Sequence, residues 1–226
     1  MELENLYSYA FLQTPSFPLI LPQGVASQVV LIKGTNLSAI VEPGISLESF
    51  QDNDEKIIEM ALCHDRVICE LFQQITVLPV QFGICFNSQK NLLIHLESNT
   101  EKYRQQLQTI HGKTEFTLKL IPVILEEVAP VTARGKDYFL AKKQQYQHQR
   151  DFSIAQAQEK QDLIDLITTS NNYPVVVKEK DQEVTIHIMV NIEDKNLFLE
   201  QVLSCQKACP RWNLSLGDAL PPYHFI

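Results

Sequence analysis

Val184-Thr185-Ile186-His187-Ile188-Met189-Val190 sets the fold class. Val184, Ile186, Ile188 and Val190 alternate with Thr185, His187 and Met189, a period of two that predicts a β-strand with one buried face. Just upstream, Val175 to Glu179 reads as another strand. Before that, a long helix is predicted over about 136 to 169 and a strand over Thr114 to Ile121. Downstream, Phe198, Leu199, Val202 and Cys205 stripe a helix that Pro210 terminates, and Trp212, Leu214 and Leu216 alternate in a final strand. The order is βαββαβ, the ferredoxin-like unit, so the second half reads as an α+β domain of that kind.

The first half approximates the same plan. Leu6 to Leu12 reads as a strand, and a connection rich in proline (Pro15, Pro18, Pro22, with Gly24) stands where the first helix would be. Val29 to Lys33, Gly34-Thr35-Asn36 and Leu37 to Val41 form a predicted hairpin closed by Pro43-Gly44. Asp52 and Glu55 resemble a capping box, ahead of a helix striped by Ile57, Ala61, His64, Ile68, Leu71 and Phe72 that runs to about Gln74. Thr76 to Gly83 is short, apolar and interrupted by Pro79, which suits an edge strand or a bulge. Ser88 can cap one further helix, striped by Leu92, Leu96, Tyr103, Leu107 and Ile110 and ended by Gly112. The expected division is a modified ferredoxin-like domain over 1–111 and a ferredoxin-like domain with an apolar tail over 112–226.

Composition agrees with two small folded domains: 226 residues, of which 45% are hydrophobic and 20% charged. The net charge of −8 has no clustered basic face, so nucleic acid is not expected as a partner. The densest basic group, Arg134, Lys136, Lys142 and Lys143, reads as a solvated helix start. No apolar run approaches the roughly 20 residues of a membrane helix, and the acidic start lacks an export signal, so no membrane and a cytoplasmic location are expected. Five cysteines, an odd count, suit reduced thiols.

Chemistry-bearing patterns are missing. The six histidines stand singly, Cys205 and Cys209 have no second ligand pair, and His64-Asp65, which resembles a metal-phosphohydrolase dyad, reads as a core histidine because His64 sits on the core-facing stripe. Seven glycines form no phosphate loop and no nucleophile elbow. The expectation is no catalytic site, no metal and no cofactor. Two segments exceed a compact βαββαβ unit: the polar middle of the long helix, Lys142 to Gln161, which reads as a solvated or partner-facing helix, and the tail Leu220-Pro221-Pro222-Tyr223-His224-Phe225-Ile226, expected to pack on its own sheet.

Four stretches in register resemble the F/L family of gas-vesicle proteins (GvpF/GvpL), most of all its F members. Thr76-Val77-Leu78-Pro79-Val80-Gln81-Phe82-Gly83-Ile84-Cys85-Phe86 is similar to the family's TVLPVRFG segment, with Gln81 in place of arginine. Gly112 to Leu120 is similar to its glycine, glutamate and following strand, and Gly135-Lys136-Asp137-Tyr138-Phe139-Leu140 to its GKDYL helix start. Gly217 and Pro221-Pro222-Tyr223-His224-Phe225 resemble its GPWPPYSF ending, with Asp218-Ala219-Leu220 in place of the Pro-Trp pair. The resemblance implies an accessory or minor structural protein of the gas vesicle. Its implied partner is the main gas-vesicle shell protein (GvpA-type), with other accessory proteins as further candidates. Candidate partner-binding residues are Pro79, Phe82, Tyr138, Pro221, Pro222, Tyr223 and Phe225. The alternative is a small-molecule-binding enzyme or sensor built on ferredoxin-like domains.

Overall fold

Strand β1 (Glu4–Gln13) is apolar from Leu6 to Leu12 apart from Ser8, and the whole run is buried. Such a strand needs cover on both faces. In the computed structural model, which describes residues 4–45, 54–125, 135–170, 172–181 and 183–226, it has that cover. The chain forms two compact units, Met1–Thr114 with Leu220–Ile226, and Glu115–Ala219.

In the first unit, β1 pairs with β3 (Leu37–Pro43), which forms the predicted hairpin with β2 (Val30–Lys33). On its other side β1 carries β4 (Leu78–Pro79) and β5 (Cys85–Ser88), giving the order β2-β3-β1-β4 with β5 also on β1. Ser8 pairs with Val41 and Ala10 with Ile40, so Tyr9 is an extra residue, a bulge. A bulge reverses the facing of every side chain beyond it. Tyr7 before it, Tyr9 at it, and Ala10 and Leu12 after it therefore all join the core under α1 (Asp54–Phe72). Phe11 falls on the opposite face, against His95 and Tyr103.

Helix α1 turns Met60, His64, Val67, Ile68 and Leu71 inward. Ala61, expected in that stripe, is exposed because it lies one residue out of phase with Met60 and His64. Asp52 of the expected capping box lies outside the described residues. The single helix expected after Ser88 is two, α2 (Gln89–Ser98) and α3 (Thr100–Ile110), with the Ser88 hydroxyl capping the first as predicted. The break falls in Ser98-Asn99-Thr100, where the Asn99 amide and the Thr100 hydroxyl donate back to the carbonyls of His95 and Leu96. Short polar side chains that hydrogen-bond the local backbone weaken a helix interior in this way.

The proline-rich connection is built around a carboxylate. Glu42, fully buried on β3, accepts hydrogen bonds from the backbone amides of Val25 (2.8 Å), Ala26 (2.7 Å) and Ser27 (2.6 Å), from the Ser27 hydroxyl and from Tyr9 (2.6 Å). A Cβ on Gly24 would lie 2.1 Å from Glu42 Oε2, so only glycine lets the loop close on the carboxylate.

In the second unit, β6 (Lys113–Pro122), α4 (Lys136–Asp165), β7 (Val175–Lys180), β8 (Glu183–Asn191), α5 (Lys195–Ala208) and β9 (Trp212–Leu216) follow the predicted βαββαβ order. The sheet order β7-β8-β6-β9 is that of a ferredoxin-like unit. Val184, Ile186, Ile188 and Val190 enter one core with Phe116, Phe198 and Trp212. His187 and Met189 on the other face of β8 are buried too. His187 Nδ1 lies 3.1 Å from both Glu115 Oε1 and Thr117 Oγ1.

Leu220–Ile226 is grouped with the first unit. Pro221 and Pro222 are buried, the Thr114 hydroxyl donates to Leu220 O (3.0 Å), and Tyr223 packs on the core under α1. The Tyr223 hydroxyl donates to Asp65 Oδ1 at 2.7 Å.

Burial pushes the Glu42 carboxyl up, but the Tyr9 hydroxyl and the Ala26, Val25 and Ser27 amides outweigh it and hold it below the usual carboxylate range. Its contribution is complete above the unfolded value of about 4.3 and is lost as pH falls through the folded one. Glu42→Gln points an amide donor at the loop's own donors. It should cost about 2 to 4 kcal/mol, read from urea unfolding at neutral pH, and flatten the acid limb of the stability profile.

Candidate functional site

Thr76-Val77-Leu78-Pro79-Val80-Gln81-Phe82-Gly83-Ile84-Cys85-Phe86 runs antiparallel along β1 and leaves it once. Pro79 stands opposite Ala10 on this outer strand, where a missing amide is tolerated. The Val80 amide donates to Tyr9 O (3.0 Å), and the Ser8 amide donates to Ile84 O (2.9 Å). Between them Gln81-Phe82-Gly83 bows outward, with Gly83 in the left-handed region at φ +91°. The edge strand or bulge expected from the proline is thus both.

His64 pins the bow to α1. Its Nε2 lies 3.0 Å from Val80 O, which can only accept, so Nε2 carries the proton and Nδ1 accepts from the Tyr7 hydroxyl at 2.8 Å. The ring stacks on Tyr9 (centroids 5.4 Å apart), and Phe82 meets it edge-on at 5.6 Å. Burial lowers the His64 pKa, so the ring is neutral, with both nitrogens engaged. Asp65, the next residue, points outward to the tail tyrosine. Burial, and then Asp65, push the Tyr223 hydroxyl pKa up. The His64-Asp65 pair thus ties two distant segments to one helix.

Beside the bow lies an open cleft of about 550 Å³. Leu78, Pro79, Val80, Gln81, Ile84 and Phe86 form one wall, Lys102, Tyr103 and Gln106 of α3 another, with Phe11, His95, Tyr223 and Ile226 completing it. Its aromatic part is continuous: Phe11 to Tyr103 is 5.1 Å, Phe86 to His95 is 5.1 Å, and His95 Nε2 is 2.7 Å from the Tyr103 hydroxyl. Burial, and then Lys102, lower the His95 pKa. The described lining contains no carboxylate, thiol or serine side chain. The arrangement can hold an apolar or aromatic segment and offers hydrogen bonds at one end.

The candidate residues fall in different places. Pro79 and Tyr223 line the cleft, and Phe82 sits on the adjoining bow, 39% exposed. Pro221 and Pro222 are buried supports of the tail, and Phe225 is half-buried in the short turn Tyr223–Phe225. Tyr138 is part of the second unit, on α4 beside Phe139. Phe86, His95 and Ile226 were not foreseen. The signal that could have found His95 is its spacing from Tyr103 across the Asn99 break.

The fold and cleft define a class: a two-unit α+β protein whose second unit is ferredoxin-like and whose first carries an open apolar cleft. The sequence profile of the family described as gas vesicle synthesis protein GvpL/GvpF matches residues 5–226, and the chain belongs to that family. It is 28% identical over 123 residues to gas vesicle protein F1 of Halobacterium salinarum (strain ATCC 700922 / JCM 11081 / NRC-1). That match covers 52% of this chain and 55% of the relative, about half of its length. The fold is similar to the crystal structure of GvpF from Anabaena sp. PCC7120, with a TM-score of 0.71 and 14% identity over 98% of this chain and 95% of that one. It is likewise similar to GvpF from Microcystis aeruginosa, with a TM-score of 0.69 and 13% identity over 98% of both chains. Among the described residues no helix is long and apolar enough to cross a membrane.

Two outcomes follow for the site's frame. Tyr223→Ala should destabilise the first unit, by roughly 1.5 to 3 kcal/mol, and leave the second unaffected. Hydrogen exchange reads this as faster exchange in α1 with unchanged exchange in β8. Between the folded value and the unfolded value of about 6.5, the unfolded chain takes up a proton that folded His64 refuses, so stability falls as pH drops below about 6.5. His64→Gln should lower stability at pH 8 by about 1 to 3 kcal/mol and make melting between about pH 6.5 and 5 less pH-dependent than in wild type, leaving the similarly signed share of His95.

Proposed function

We propose that this gas-vesicle protein binds the main shell protein of the vesicle and limits its aggregation during nucleation and assembly, without catalysing a reaction. A shell subunit that presents an apolar face to gas is an aggregation hazard in water before it assembles. A folded protein that covers such a face keeps it competent. The observation that carries the reading is the open cleft beside the outer strand at 78–86, with apolar walls from Phe11, Ile84 and Phe86. Such a groove beside a sheet suits an extended or helical apolar segment.

The perturbed titratable groups also support binding over catalysis. Glu42 is saturated by donors and His64 by a donor and an acceptor, so both serve the fold. A small-molecule role is the second reading, favoured by a cleft volume within the range of ligand pockets. Residence on the gas side would require shell protein or retained water to cover the 20% of residues that are charged, which are costly to leave unhydrated.

Co-expression with the shell protein, followed by pull-down and sedimentation, tests the proposal. The shell protein should co-purify and stay in the supernatant. Ile84→Asp, which puts a charge into the cleft wall, should cut the association about tenfold or more with an unchanged melting temperature. No association, and no change in shell-protein solubility, would sink the proposal.

A further inference from the structure

Helix α4 is thirty residues long, about 45 Å, and its outer side is uncovered. From 136 to 154 no residue is buried, and only Ala141, Gln145 and Phe152 are half-buried, all on one face. At 100° per residue the opposite face carries Phe139, Leu140, Tyr146 and Ile154, which are 74%, 58%, 69% and 57% exposed. Four large apolar side chains on one exposed helix face are a surface in need of a partner.

The charges on the helix identify that partner. The first half, 136 to 150, holds Lys136, Lys142, Lys143 and Arg150 against a single acid, Asp137. The second half, 151 to 165, holds the exposed acids Asp151, Asp162 and Asp165, while Glu159 and Lys160 are taken by Arg211 and Glu179 of the same chain. One half is therefore strongly basic and the other equally acidic. This is the reverse of what a helix prefers on its own, since its dipole favours acids near the start and bases near the end. The polarity matches a second helix of the same sequence laid antiparallel.

We propose that α4 is the contact through which two copies of this chain associate as an antiparallel pair. A two-fold axis between Arg150 and Asp151 lays each helix along the full length of the other. Arg150 then faces Asp151 of the second copy and Lys136 faces Asp165. Tyr146 of each copy lies opposite the stretch of Ile154 to Ala157 of the other, Leu140 lies opposite Gln161, and the two dipoles oppose. Such an interface is isologous and closes at two copies. It does not depend on the proposed role in shell assembly.

Sedimentation velocity of the full chain and two charge-reversed variants tests this. One variant carries Lys136→Glu, Lys143→Glu and Arg150→Glu, and the other Asp151→Lys, Asp162→Lys and Asp165→Lys. The wild type should show a concentration-dependent dimer. Each variant alone should dissociate about tenfold or more readily, because like charges then face each other. Mixed together, the two variants should form a heterodimer. A wild type that stays monomeric at every concentration, or variants that dimerise as well alone as together, would overturn the proposal. If a variant fails to fold by circular dichroism, oxidative cross-linking decides instead. Arg150→Cys, next to the axis, should cross-link two copies, and Gln158→Cys should not. Equal cross-linking at both positions, or none at either, would overturn it.

Discussion

Tyr9 is the extra residue of a bulge in β1, and its hydroxyl reaches Glu42 at 2.6 Å. The rest of the first unit hangs on that placement. A strand without the bulge would turn either Tyr7 and Tyr9 or Ala10 and Leu12 away from α1, and the core under that helix would lose two of the four side chains that β1 gives it. With the bulge, Glu42 organises the connection that stands in place of a first helix, and Tyr7 presents its hydroxyl to His64. A buried carboxylate is costly unless its lone pairs are filled, and here the loop 23–28 folds around it to fill them.

From this network the chain of support reaches the cleft. His64 is fixed between Tyr7 and the Val80 carbonyl, so the departure of residues 81–83 from β1 is a fixed bow beside a fixed wall. Asp65, on the same turn of α1, holds Tyr223 of the tail, which supplies another part of the cleft. The cleft is built from segments far apart in sequence by two adjacent residues of one helix. The familiar look of a histidine followed by an aspartate as a catalytic pair has a structural explanation here.

Periodic segments were legible in the sequence, and long-range polar contacts were not. The alternation in 184–190 placed a strand, and the element order around it gave the ferredoxin-like unit, because a period of two in apolar residues is local information. Pro79 announced an irregular outer strand for an equally local reason, its missing amide. The family resemblance rested on that same segment in register with three others, and the profile match over 5–226 agrees with it. Glu42 gave no local signal, since its partners lie 15 to 33 residues away and three of them are backbone amides. The tail's tyrosine likewise bonds a carboxylate 158 residues upstream, a partner that no local pattern announces. One helix was expected where Asn99 makes two, because a stripe of leucines outweighs a short polar cluster in any reading by periodicity.

We propose the cleft along 78–86 as the place where this gas-vesicle protein meets the shell protein. Hydrogen–deuterium exchange of the chain alone and in complex with the shell protein is the most direct measurement. Protection is expected to concentrate in residues 78–86 and in α3, with β7 and α5 unchanged. Protection confined to the second unit, or spread evenly over both units, would contradict it.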